Sequence, residues 1–126
     1  AVAAEDLRRG VGAPQVQVGV VLPGDRDAAV QRAHEQFRWF GGGWPTNAEL
    51  PNPKAFDAAT QFVRPEDVAD QIPCGPDIDA VVEAVSAYRD AGFTDIALVQ
   101  IGGDSQDSFF DEAAPALLAA LRADAA

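Results

Sequence analysis

The chain has 126 residues, enough for one domain with a core or for a portion of a larger one. Its net charge of −11, with one lysine beside eight arginines, leaves no basic stripe to collect phosphate backbones, which argues against nucleic acid as a partner. A single cysteine excludes an internal disulfide, and no apolar run approaches the roughly 20 residues that cross a bilayer.

No signal-peptide pattern opens the chain, so the expected compartment is the cytoplasm, with no membrane partner. The acidic residues are spread along the helical segments as solvated faces, where they govern solubility rather than function. There is no methionine, and "AVAAEDLRRGVG" reads as the last turns of a helix already under way. Residues 1–126 are therefore expected to be a single partial domain, the C-terminal portion of a longer protein.

After Gly10 and Pro14, "QVQVGVVLP" begins in alternation and ends almost wholly apolar, bounded by Pro23 and Gly24. That pattern predicts a strand over 15–22 buried on both faces, the habit of parallel sheets. Asp25 offers an N-cap, and Val30, Ala33, Phe37 and Phe40 fall at helical spacing on one side of residues 26–40. Gly41, Gly42 and Gly43 end that helix.

Residues 44–76 hold six of the nine prolines and only short helical pieces, around 53–62 and 65–71, an excursion too long for a plain connection. Asp77 caps an amphipathic helix with Ile78, Val81, Val82, Val85 and Tyr88 on one face and Gly92 at its end. "DIALVQI", residues 95–101, is a second buried strand. Gly102 and Gly103 turn the chain into a last helix, capped by Asp104 or Ser105, which carries Phe109, Phe110, Leu117, Leu118 and Leu121. Pro115 lies inside it and kinks or restarts it.

Two strands each followed by a helix are βα units, so the fold class is α/β with parallel strands and a right-handed crossover. Two such strands neither close a sheet nor cover both of its faces; the pattern calls for further βα units.

Candidate chemistry is sparse. His34, the only histidine, has no partner at ligand spacing, so no metal is expected. Cys74 in "IPCGP" has no histidine beside it and reads as a structural thiol rather than a nucleophile. "IGGDSQ" either cradles an anion on its backbone N–H groups or only turns tightly, and Asp104 opposes an anion there. Gln100 and the 102–105 turn lie at a strand C-terminal end, where βα folds bind ligands. In "HEQFRWFGGGW", Phe37 and Phe40 belong to the core face, whereas Trp39 and Trp44 are either pocket walls or loop packing.

Four blocks in order, "HEQFRWFGGGW", "NAELPNP", "FVRPEDVADQIPCGPD" and "AGFTDIALVQIGGDSQDSFF", resemble the C-terminal part of the F420-dependent oxidoreductases of the luciferase-like monooxygenase superfamily. The likeness is to the branch related to F420-dependent glucose-6-phosphate dehydrogenase and covers about residues 11–122. The resemblance implies a (β/α)8 TIM barrel in which 15–22 is the seventh strand and 95–101 the eighth. Residues 24–76 then form the insertion between strand and helix, a lid over the mouth.

It implies hydride transfer between coenzyme F420 and a small alcohol or carbonyl substrate, in a homodimeric parent. The family's catalytic residues and most of its cofactor contacts come from earlier strands, so none is assigned here and this portion alone is expected to be inactive. A family lysine and arginine that hold a substrate phosphate fall near Asn47 and at about Gln71, neither of them basic. Arg64 and Lys54 are the cations a shifted register would bring. A less charged alcohol or carbonyl substrate is therefore expected, with Trp39, Trp44, Asn47, Gln71 and Gln100 as pocket candidates. Two alternatives stay open: an FMN-dependent relative, and a small self-contained α/β interaction module.

Overall fold

The computed structural model describes residues 15–20 and 24–126. The expected N-terminal helix and the end of the first strand, residues 21 and 22, lie outside the described residues.

Strand β1 (Gln15–Val20) lies parallel to β2 (Asp95–Gln100), with Gln15 opposite Asp95 and Val20 opposite Gln100. The Ile101 N–H extends the ladder by donating to the Val20 carbonyl at 2.8 Å. The described sheet has these two strands only. This accounts for one correction: β2 is not buried on both faces. Its residues run from exposed to half-buried, because Ile96 and Leu98 pack on helices while Asp95 and Ala97 meet no covering layer.

Helix α1 (Arg26–Phe37) starts where the Asp25 carboxylate accepts the Ala28 N–H at 3.0 Å. The buried residues Ala29 and Ala33 give it a small-residue face that lets neighbours approach closely. The single helix expected over 26–40 breaks at Phe37, whose φ of −133° leaves the α region. A 3₁₀ turn, Arg38–Gly42, follows and packs the Trp39 and Phe40 rings 4.4 Å apart. Gly43, at φ 73°, ends it and donates its N–H to the Phe40 carbonyl.

Three short helices fill the excursion. These are α2 (Trp44–Asn47), α3 (Pro53–Ala59), capped by Asn52 accepting the Ala55 N–H, and α4 (Pro65–Ala69). At α4 the Asp67 carboxylate accepts both the Arg64 backbone N–H and its guanidinium, at 3.0 and 2.7 Å. Those bonds to the charged form hold the Asp67 pKa down to about 2.

Helix α5 (Ile78–Asp90) is capped by Asp77, which accepts the Asp79 and Ala80 N–H groups. At its far end Gly92, at φ 97°, lets the Phe93 N–H reach the Tyr88 carbonyl and its own N–H reach that of Arg89. The Tyr88 and Phe93 rings meet edge-on at 5.6 Å across this closure, the hydrophobic contact that such ends favour.

The last helical stretch is not one helix. After α6 (Gln106–Ser108) the chain takes a π-helical turn, Phe109–Ala113, and restarts as α7 (Ala114–Asp124) with Pro115 in the first turn. Proline has no N–H to give residue 111 and its ring crowds that carbonyl, so the ladder widens ahead of it. Neither Asp104 nor Ser105 caps this stretch with its side chain, a second correction. Both belong to a separate 3₁₀ turn, Gly103–Ser105.

Two cores result. The first joins sheet and helices through Val20, Val81, Val85, Phe109, Ala113 and Leu117. The second lies in the excursion, where Ala29, Ala33, Val68, Ile72 and Cys74 enclose Ile101 from the end of β2. Phe110 and Leu118 face solvent.

Candidate functional site

The C-terminal ends of the strands are shaped by a braced turn. Gln100 Nε2 donates to the Ile101 carbonyl at 3.2 Å and to Ser105 Oγ at 3.1 Å, and Ser105 Oγ donates to the Gly102 carbonyl at 2.9 Å. Gly102, at φ 109°, adopts a backbone conformation that other residues resist. Over it lies Arg32 of α1, so close that a Cβ at Gly102 would sit 2.3 Å from Arg32 Cδ. The Arg32 Nε is 3.9 Å from Asp104 Oδ1, and its Nη1 is buried without a hydrogen-bond partner. Above Gly103 the space is open.

The aromatic cluster lies in the excursion. Trp39 is 37% exposed and its ring packs on Phe37 at 5.6 Å, Phe40 at 4.4 Å and, edge-on, Phe56 at 6.5 Å. Trp39, Pro53, Phe56 and Asp57 line an open, mostly apolar cleft of about 390 Å³. The Asp57 carboxylate on its rim is paired with the Arg38 guanidinium at 2.9 Å, and Arg38 Nε also donates to the buried Thr60 hydroxyl. The rim charge is therefore matched within the protein.

Asn47 is buried, donating from Nδ2 to the Trp39 carbonyl at 2.9 Å, with Oδ1 unpartnered. The helix α2 that begins at Trp44 places Asn47 there. Gln71 is exposed and lines a different cavity, of about 240 Å³, with Arg26, Cys74 and Asp77 among its walls. Of the sequence candidates, Trp39 and Asn47 come together and Gln71 and Gln100 each sit apart, while the Trp44 side chain lies outside what the structure describes.

His34 Nε2 lies 2.7 Å from the Val63 carbonyl; since a carbonyl only accepts, that nitrogen carries the proton and ties α1 to the start of α4. The Cys74 thiol is buried and donates to the Ile72 carbonyl, and burial pushes its pKa up, which keeps it protonated and unreactive. Arg64 is committed to Asp67. Among the described residues no group of three His, Cys, Asp or Glu side chains is placed to hold a metal ion, and no helix is long and apolar enough to cross a membrane.

Two cations near these features escape a reading of the sequence. Arg26 donates to the Cys74 carbonyl at 3.3 Å and walls the Gln71 cavity, and Arg32 covers the turn after β2. The available signal was the pair Ala29 and Ala33, which marks the close-packing side of α1.

No family model matches the chain, and no curated protein matches it significantly. Among solved structures, it is similar to an F420-dependent secondary alcohol dehydrogenase in complex with an F420-acetone adduct, with a TM-score of 0.67 and 18% sequence identity. The likeness covers 94% of this chain and 37% of that one, so the chain spans just over a third of that enzyme's length. The chain thus shares the fold of one portion of a TIM-barrel enzyme.

Proposed function

We propose that this chain is the C-terminal portion of an F420-dependent oxidoreductase of the luciferase-like type, from the branch related to glucose-6-phosphate dehydrogenase. It supplies two adjacent barrel strands and the insertion over their C-terminal ends. The observation that carries the F420-dependent reading is the fold likeness to an F420-dependent alcohol dehydrogenase across nearly the whole chain, while the branch rests on the four sequence blocks alone. The cofactor, when bound, accepts or returns the hydride.

On this reading most contacts to that cofactor come from other strands of the barrel. The 390 Å³ cleft offers mainly apolar carbon and one paired carboxylate. What the described residues contribute is walls. Trp39 and Phe56 exclude water, Asn47 fixes the Trp39 turn, and Gln100 fixes the turn after β2.

The substrate on this reading is an uncharged secondary alcohol or its ketone. An apolar cleft repays burial of alkyl groups but leaves a phosphate dianion without the charge-assisted donors it needs. Arg26 beside Gln71 is flanked by Asp70 and Asp77, which oppose a second anion in that cavity.

The test uses the polypeptide that continues this chain through a complete barrel, supplied with oxidised F420 and either 2-propanol or glucose 6-phosphate. Loss of the oxidised deazaflavin absorbance is expected with 2-propanol alone. Turnover of the sugar phosphate instead would overturn the substrate assignment.

A further inference from the structure

The apolar cleft in the excursion has a cation beside it. Arg38, at the start of the 3₁₀ turn, sends its guanidinium to α3, where Nη2 donates to Asp57 Oδ1 at 2.9 Å and Nε donates to Thr60 Oγ1 at 3.1 Å. Asp57 lines the cleft with Trp39, Pro53 and Phe56, whereas Arg38 does not. The Asp57 carboxylate thus meets both the guanidinium and the cleft.

Each part of this arrangement is fixed locally. The Asn52 cap and Pro53 in the first turn set where α3 begins, so that Phe56 meets Trp39 edge-on and Asp57 turns its carboxylate to Arg38. Thr60 closes the helix, its buried hydroxyl donating to the Phe56 carbonyl at 2.7 Å and accepting from Arg38. Of the two residues that hold Arg38 in this way, Asp57 alone carries charge.

The ion pair is too exposed to matter much for stability, with the arginine side chain 35% and the aspartate 74% accessible. What it sets is the charge at the cleft. Without the carboxylate, the Thr60 bond would keep the guanidinium in place, and an anion in the cleft would find a charge-assisted donor where it now meets a neutralised one. Lys54, earlier on α3, is exposed and does not line the cleft.

We propose that Asp57 is a specificity-determining residue. By neutralising Arg38 it keeps the cleft for ligands with an apolar body and an uncharged head, alcohols or carbonyl compounds, and excludes the phosphorylated or carboxylated forms of such molecules. That such a ligand is the substrate rests on the function proposed above. The charge rule does not, because it follows from the cleft alone.

The test is an NMR titration of the isotope-labelled 126-residue chain with benzyl alcohol or benzyl phosphate. It follows the indole N–H of Trp39, which Trp39→Phe identifies among the two tryptophans. Benzyl alcohol should move that signal saturably in the parent, and benzyl phosphate should do so only weakly. In Asp57→Ala, a change at an exposed helix position, benzyl phosphate binding should tighten by roughly tenfold, the effect of one charge-assisted hydrogen bond, while benzyl alcohol binding stays as it was. Adding Arg38→Gln should cancel the gain, and adding Lys54→Gln should not. If Arg38→Gln loosens the turn, added salt gives the same reading: it should weaken phosphate binding by Asp57→Ala and leave benzyl alcohol binding untouched.

Benzyl phosphate bound by the parent as tightly as the alcohol would overturn the proposal. So would an unchanged phosphate affinity in Asp57→Ala, a gain that survives both Arg38→Gln and salt, or a Trp39 signal that neither ligand moves. The readout involves neither F420 nor hydride transfer, so its failure leaves the oxidoreductase reading to the turnover test, and failure of that test leaves the charge rule standing.

Discussion

Leu117→Ala is expected to destabilise the chain by about 2–5 kcal/mol, the range for deleting a fully buried leucine side chain into a core that relaxes only in part. Leu117 is 1% exposed and lies among Val20, Val81, Val85, Phe109 and Ala113, so the deletion leaves a void where sheet, α5 and α7 meet. The site cannot collapse easily. On one side the π turn and Pro115 fix the path of α7, and on the other the strand ladder fixes Val20.

The neighbouring Leu118 supplies the control. It is 48% exposed, and Leu118→Ala should fall within about 0.5 kcal/mol of the parent. Urea denaturation of both variants checks the pair, since domains of this kind have only about 5–15 kcal/mol to lose. Equal shifts in midpoint would contradict the placement of α7.

Gly102→Ala should cost about 1–3 kcal/mol from the backbone alone, because φ 109° is a conformation that an L side chain rarely adopts. The added Cβ would also meet Arg32 Cδ at 2.3 Å and Ser105 Oγ at 2.9 Å. It therefore drives Arg32 off the turn and disturbs the hydroxyl that braces Gln100. Gly103→Ala, one residue on, meets nothing within 4 Å at a backbone without positive φ and should be nearly neutral.

Combining Gly102→Ala with Arg32→Ala separates the two costs. The double variant should regain the part due to the clash and keep the part due to φ, which is non-additivity of the kind contacting residues show. Strict additivity would mean that Arg32 does not lie over Gly102.

The sequence makes the βα order legible because its signals are local. A β-branched run before Gly24, Asp77 ahead of an apolar stripe, and Gly92 after it each specify a strand, a cap or a stop within a few residues. The α/β class with parallel strands follows from that order, and the observed register agrees.

What stayed hidden depends on contacts distant in sequence. The break at Phe37 comes from ring packing among Phe37, Trp39 and Phe40, whose spacing alone reads as one continuing helix. The π turn is set by Pro115 acting four residues back, where the sequence told only that the helix must kink or restart. Asp104 and Ser105 have the side chains of capping residues, but the 3₁₀ turn claims them for the strand end.

The site follows the same rule. Trp39 lines its cleft from the 3₁₀ turn after α1, which helical periodicity does not reveal, and Asn47 reaching back to the Trp39 carbonyl requires the turn at Gly43 to be in place. Arg26 and Arg32 gave no signal of their own, because each acts on a turn that the chain reaches many residues later.

The most direct test of the account is cofactor choice, measured by titrating F420 and FMN separately into the complete barrel and into the 126-residue chain, with cofactor fluorescence as the readout. Saturable F420 binding by the complete barrel, none by the shorter chain, and no FMN binding by either is the expected result. FMN in place of F420 in the complete barrel, or F420 held by the 126 residues alone, would contradict it.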